Sequence, residues 1–451
     1  MEKKRGSFSG GLGFVLAAAG SAVGLGNLWR FPYLAAQYGG GIFILVYIVL
    51  ALTFGFALMT TEIAIGRKTK KSPIVAYKML SEKFAFVGYL AVLVPVIILP
   101  YYCVIGGWLL RYVTVYVEGL TAEAATDTFF GAFIGDTFSP LFFFLIFLII
   151  TAIVVIGGVE KGIEKFSKVL MPILLVMIIG ISIYILFIPG TLEGVKYYLI
   201  PDFEKFSFKT VCAAMGQLFF SLSIAMGIMV TYGSYIKDEV SLVKSVNQIE
   251  IFDTFVALLA GLMVIPIVFA FSGEAGLAAQ GPGLMFVSLP KIFAQMAGGR
   301  VLGLIFFVLV LFTAVTSSVS VMEAIVSSMM DKFKIARGRA CAITLIISIL
   351  LGVPSSMGNG AWSHIKILGM DFLSFFDYLS NSVLMPLVAL GTSILVGWVI
   401  GTKTITDEVT RNGEKFGRQK IYEVMIKYVA PVLLVIILVF YSLVQFKVIE
   451  M

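Results

Sequence analysis

Charge is what this sequence has least of. Only 13% of its 451 residues are Asp, Glu, Lys or Arg, against about a quarter in an ordinary soluble domain. With 59% of the chain hydrophobic and a mean hydropathy of +1.02, the apolar surface is too large to hide inside a water-soluble fold of this length. Histidine occurs once, at His364, and cysteine three times, at Cys103, Cys212 and Cys341. No spacing among them makes a metal-ligand or redox pair. Asn-x-Ser/Thr acceptors are absent, so nothing argues for a glycosylated surface. No nucleophile–base pair or cofactor motif appears, which argues against an enzyme. A net charge of +7 would suit a nucleic-acid partner, but the basic residues sit in short loops between apolar runs, and no such partner is expected.

What the chain has instead is long apolar runs. A membrane-crossing helix needs roughly 20 mostly apolar residues. Hydropathy and turn signals place such spans at about 11–34, 41–66, 86–112, 139–158, 166–189, 209–235, 251–272, 299–330, 339–355, 376–401 and 423–446. The start, Met1-Glu2-Lys3-Lys4-Arg5 before an apolar run, superficially resembles a signal peptide. The run carries Gly20, Gly24, Gly26, Asn27 and Arg30 without a convincing cleavage site, so it reads as a retained first span. Most of the 33 Lys and Arg residues fall on one side of this eleven-span ladder, the side of the N-terminus. By the positive-inside rule that side is cytoplasmic, and eleven spans put the C-terminus outside. The expected location is the cell membrane.

The first ten spans divide into two fives. Span 1 is interrupted at Gly20-Ser21-Ala22-Val23-Gly24-Leu25-Gly26-Asn27, and span 6 at Ser221-Leu222-Ser223-Ile224-Ala225-Met226-Gly227. Matching interruptions in two five-span halves suggest an inverted-repeat transporter, although glycines also serve helix packing in membranes. The expected fold is an all-α polytopic membrane protein, with a 5+5 inverted repeat, broken helices 1 and 6, and an eleventh helix. The expected units are 1–189, 190–401 and 402–451.

The segment Gly24-Leu25-Gly26-Asn27-Leu28-Trp29-Arg30-Phe31-Pro32 resembles the helix 1 signature of the neurotransmitter:sodium symporter family. The likeness continues through Gly39-Gly40-Gly41, Tyr101-Tyr102, Gly216-Gln217-Leu218-Phe219-Phe220-Ser221-Leu222-Ser223 and Thr316-Ser317-Ser318. The layout is similar to bacterial members that carry leucine or several hydrophobic amino acids, with eleven spans where many relatives have twelve.

The resemblance implies two sodium sites. The first would use the Ala22 carbonyl, the Asn27 side chain, the Ser221 hydroxyl and carbonyl, and Asp253 on helix 7. The second would use the carbonyls of Gly20, Val23 and Thr313 with the hydroxyls of Thr316 and Ser317. Left to themselves, those two hydroxyls would back-bond to their own helix. Many relatives have Asn at position 253. Animal relatives balance sodium with chloride near the position of Tyr47, Gln217 and Ser221. An anion built in at Asp253 implies transport independent of chloride, unless helix 7 starts late and leaves Asp253 in a loop with Glu250.

An amino acid would lie between the broken helices. Its carboxylate would meet the N–H groups of Leu25 and Gly26 and the Tyr102 phenol, and its ammonium the carbonyls of Phe220, Ser221 and Ser223. Amine-carrying relatives place Asp where this chain has Gly24. Ile98, Phe220, Met226 and Val321 would form an uncharged side-chain pocket, favouring aromatic and branched aliphatic cargo. Ala22 and Ser317 complete the expected substrate contacts. Arg30 and Asp377 correspond to the outer gate, with Asp371 as a rival for Asp377. Arg5 and Asp331, with Phe8, Ser234 and Tyr235, correspond to the inner one.

Glu62 is expected to brace the unwound part of helix 6, and Glu323 has no assigned role. Gly162 and Pro172 either let the start of helix 5 unwind or open an ordinary helix. A channel, or a transport-dead sensor on the same fold, remains an alternative to a symporter.

Overall fold

The computed structural model describes residues 6–277 and 281–445. Among these residues there is no β-strand, and regular structure is helical throughout. Among the described residues nine helices are long and apolar enough to cross a membrane: α2 (Gly41–Thr69), α3 (Glu82–Glu118), α4 (Phe138–Ile156), α5 (Val159–Leu186), α7 (Leu242–Gly273), α8 (Gly299–Phe333), α9 (Arg337–Met357), α10 (Phe372–Val399) and α11 (Gln419–Gln445). The first span, α1, is a pair, Gly11–Ala22 and Gly26–Gln37, bent by 47°. The sixth, α6, consists of Phe208–Ser221 and Ile228–Gly233. Together they make the eleven crossings that the hydropathy implies.

Why α1 and α6 break is visible in their backbone. At the end of Gly11–Ala22, Val23 turns extended (φ −74°, ψ 97°). In α6, Ser223 (φ +51°), Ala225 (φ +62°) and Gly227 (φ +70°) all adopt the left-handed conformation. Two of these are not glycine, so the turn is strained and the surroundings must hold it. Glu62 on α2 does so, its Oε1 accepting from the Ala225 N–H at 2.7 Å. The two breaks also brace each other: the Ser21 hydroxyl donates to Ser223 Oγ at 3.1 Å, and Ser223 donates to the Ser21 carbonyl at 3.0 Å.

Helix 7 begins well before its apolar stretch, at Leu242. Asp253 therefore lies inside the helix and is fully buried, not in a loop with Glu250. Helix 5 is wound at its start, with Val159–Glu164 as a wide π turn and Pro172 inside the following helix. Where α2, the 236–241 loop and the 403–409 helix meet, Arg67 is wholly buried. Its Nε donates to Glu408 Oε1 at 2.6 Å and its Nη1 to the Val240 carbonyl at 2.8 Å.

Candidate functional site

The interruptions of α1 and α6 face each other at mid-span. Between them lies a cavity of about 20 Å³ lined by Ser21, Ala22, Gly24, Gly26, Ile98, Tyr102, Phe220, Ser223, Met226, Ser317 and Val321. Nine of the residues expected to touch an amino acid are on this wall. Leu25 and Ser221 are not, although the Leu25 N–H donates to the Tyr102 oxygen at 3.3 Å. Ser21 was not foreseen, because its part depends on the pairing of two breaks far apart in sequence. The wall is crowded where it has no side chains. A Cβ on Gly24 would press on the Ser317 hydroxyl and sit 3.1 Å from Tyr102 Oη, and one on Gly26 would come within 2.6 Å of the Phe220 ring. The lining carries no charged side chain.

Beside the cavity the side chains of Asn27, Ser221 and Asp253 converge, all fully buried. Asn27 Nδ2 donates to Asp253 Oδ1 at 2.8 Å, and Ser221 donates to the same carboxylate at 2.9–3.0 Å. Asn27 Oδ1 accepts from the Gly24 N–H at 3.2 Å. Tyr47 Oη lies 3.1 Å from Ser221 Oγ and 3.2 Å from Asp253 Oδ2. Gln217 reaches in through Nε2, which donates to the Gly26 carbonyl at 2.8 Å, while its buried Oε1 has no partner. Neutral donors satisfy the Asp253 carboxylate without cancelling its charge. An isolated buried anion is costly, so this oxygen-rich cluster suits a hard cation.

A second convergence joins α8 to the break in α1. The Ser317 hydroxyl lies 3.5 Å from the Gly20 carbonyl, 3.0 Å from Ser21 and 3.3 Å from Val23. The Thr316 hydroxyl turns back on its own helix, to the Thr313 carbonyl at 3.0 Å and Phe312 at 3.2 Å. Ser317 thus spans the gap between helices, and Thr316 holds the self-bonded arrangement that a hydroxyl in a helix favours.

Arg30 and Asp377 sit toward one end of the bundle without a direct ion pair. The Asp377 carboxylate accepts from Asn381 Nδ2 at 2.6 Å and Tyr101 Oη at 3.3 Å. The Arg30 guanidinium lies over the Phe220 ring, 5.8 Å from its centroid, with Nε buried and unpartnered. Local neutral donors and an aromatic face have taken up the two groups separately. Asp371 is instead the N-cap of α10, accepting from the Ser374 N–H at 2.9 Å.

At the opposite end Arg5 lies outside the described residues. Asp331 Oδ2 accepts from the Ser72 N–H at 2.8 Å. Phe8 is buried among Phe14, Tyr232 and Tyr235, and its N–H donates to the Tyr235 carbonyl at 3.1 Å. Ser234 donates to the Thr231 carbonyl at 2.5 Å. Glu323 proves to be a junction: it accepts from Tyr235 Oη at 2.6 Å and from both terminal nitrogens of Arg337 at 2.6 and 2.8 Å. Glu164 on α5 accepts from the Ser9 N–H at 2.8 Å and pairs with Lys168 at 2.6 Å. These clusters join residues distant in sequence, and hydropathy carries no signal for them.

The comparisons agree with this architecture. A sodium-dependent transporter of Haemophilus influenzae is 33% identical over 97% of this chain and 98% of its own length. The sodium-dependent transporter YhdH of Bacillus subtilis is 34% identical, covering 98% of both chains. The crystal structure of MhsT in complex with L-phenylalanine superposes with a TM-score of 0.88 at 34% identity, covering 96% of this chain and 99% of that one. Such relatives are transporters, not enzymes. A profile of the Sodium:neurotransmitter symporter family matches residues 5–129 and 134–451, and with these relatives it shows that this multi-pass, sodium-dependent chain belongs to that family.

Proposed function

We propose that the chain carries neutral hydrophobic L-amino acids, aromatic or branched aliphatic, together with two sodium ions and without chloride. The observation that supports this most is the uncharged wall of Ile98, Phe220, Met226 and Val321 set directly against the polar breaks of α1 and α6. A zwitterion's charged ends find backbone groups there, at helix ends suited to them, while a charged side chain would be buried without a partner. Met226 is flexible enough to fit several shapes. That MhsT was crystallised with L-phenylalanine is in keeping with such cargo.

One sodium would sit with Ala22, Asn27, Ser221 and Asp253, and a second with Gly20, Val23, Thr313, Thr316 and Ser317. For the second, the Thr316 hydroxyl donates to its own helix and would offer the ion its oxygen lone pairs. Asp253 supplies the negative charge that a chloride would otherwise bring. The halves 1–189 and 190–401 would then rock about the site, with the N-terminus in the cytoplasm, the C-terminus outside, and Arg30, Asp377, Asp331, Phe8 and Tyr235 at the two mouths. The membrane potential adds roughly 2.3 kcal/mol per net charge moved per 100 mV.

The test is binding of radiolabelled phenylalanine to the purified chain, competed by a panel of amino acids, in sodium, potassium or choline, and with chloride replaced by gluconate. Binding in sodium gluconate that is competed by leucine and tyrosine but not by glutamate or lysine is the expected outcome. Equal binding in choline would overturn it.

A further inference from the structure

We propose that a cleft at the end of α7 binds the phosphodiester headgroup of an anionic phospholipid, in the leaflet on the side of the lysine-rich loops. The cleft measures about 470 Å³ and lies between the first turns of α7 and the segment before α11; Lys244 and Lys415 are on its wall, with Ser241, Gln248, Ile251 and Glu414. The apolar spans begin at Leu242 and Gln419, so both lysines stand at headgroup level.

The charges around the cleft favour an anion. Lys244 and Lys415 are both exposed, and among the described residues neither makes an ion pair. The lining carboxylate, Glu414, is engaged by the Ser241 hydroxyl. The neighbouring Arg418 is committed elsewhere, to Glu250 at 2.7 Å and Asn247 at 2.5 Å. Two lysines thus face one carboxylate, whose neutral hydroxyl partner leaves its charge in place, so the wall keeps a net positive charge.

A lipid, and not a soluble phosphate, is the occupant that fits the rest of the surface. Lys244, Gln248, Ile251 and Phe255 recur every three to four residues, so they share one face of α7. Ile251 is 67% exposed and Phe255 44% exposed. The stripe therefore runs from a cation, through an amide, to bare apolar side chains, in the order of a phospholipid's headgroup, glycerol and acyl chain. Soluble phosphate would use the lysines alone and gain nothing from the apolar part of the stripe. Two residues beyond Ile251, on the buried side of the same helix, is Asp253. A lipid seated here holds the turn that carries that carboxylate.

The experiment uses the purified full chain in nanodiscs of phosphatidylcholine with graded phosphatidylglycerol, and measures which lipid stays bound by native mass spectrometry. The wild type should retain phosphatidylglycerol in preference. Replacing both lysines (Lys244→Gln, Lys415→Gln) should lower that preference roughly tenfold to thirtyfold, since each lysine at an anionic surface contributes a few-fold. The control pair Lys83→Gln, Lys161→Gln, exposed on the same side but away from the cleft, should leave it unchanged. Thermal stability in phosphatidylcholine alone shows whether the variants are folded. Equal preference in wild type and the Lys244/Lys415 variant, an equal loss in the control pair, or displacement of the retained lipid by millimolar inorganic phosphate would each overturn the proposal. None of these readouts depends on which substrate the chain carries.

Discussion

Asp253 carries more consequence than any other single side chain here. It is fully buried and held by Asn27, Ser221 and Tyr47, with no cation among those partners. Asp253→Asn keeps the shape and removes the charge. Uptake in chloride-free buffer should fall roughly 10- to 100-fold, the value of a charged hydrogen bond or two, and chloride should restore part of it. Undiminished chloride-free uptake would remove the anion role. Gly24 makes a second residue-scale case. Its Cβ would press on Ser317 and Tyr102, so Gly24→Ala should weaken substrate binding about tenfold or more by overpacking, as measured by equilibrium binding in saturating sodium. Gly24 stands out in the sequence because it lies inside the run Gly24–Pro32, whereas Asp253 lies in no such motif and is placed only by the family resemblance. Ser21 is legible in neither way: it lines the cavity and bonds Ser223, which is 202 positions away.

At the scale of the element, the breaks in α1 and α6 are what set this chain apart from a plain bundle. The interrupted runs, glycine-rich in α1 and serine-rich in α6, announced where they fall, and Glu62 was the brace expected for the second. In α6 the support is Glu62, whose Oε1 takes the Ala225 N–H. Glu62→Ala should leave that buried donor unsatisfied and cost about 1–3 kcal/mol, seen as a lower melting temperature and weaker substrate binding together. Glu62→Gln keeps an acceptor and should lose less. The boundaries of α7 show the limit of hydropathy. Its first turns are polar, because Glu250 and Asn247 face Arg418, so an apolar window starts the helix too late. The arrangement of Arg30 and Asp377 escaped prediction for a related reason. The sequence names two opposite charges, while nearby neutral donors decide where each one rests.

For the whole molecule, the apolar spans made the eleven-crossing fold legible, whereas the ties between spans were not. Glu323 and Arg337 join α8 to the start of α9, and Tyr235 binds the same carboxylate from beyond α6. Arg337→Ala should strand a buried anion at a cost of about 3–5 kcal/mol. A fall in thermal stability that Glu323→Gln in the same chain partly restores would show that the stranded charge is the cause. The buried pair of Arg67 and Glu408 raises a different matter, that of time. Its partners are 341 positions apart. A ribosome adding 5–20 residues per second needs roughly 20–70 s to cover that interval. Throughout it the guanidinium of the second crossing has no carboxylate to meet, so the nascent chain must shelter it in water or against lipid phosphates until the last loop emerges.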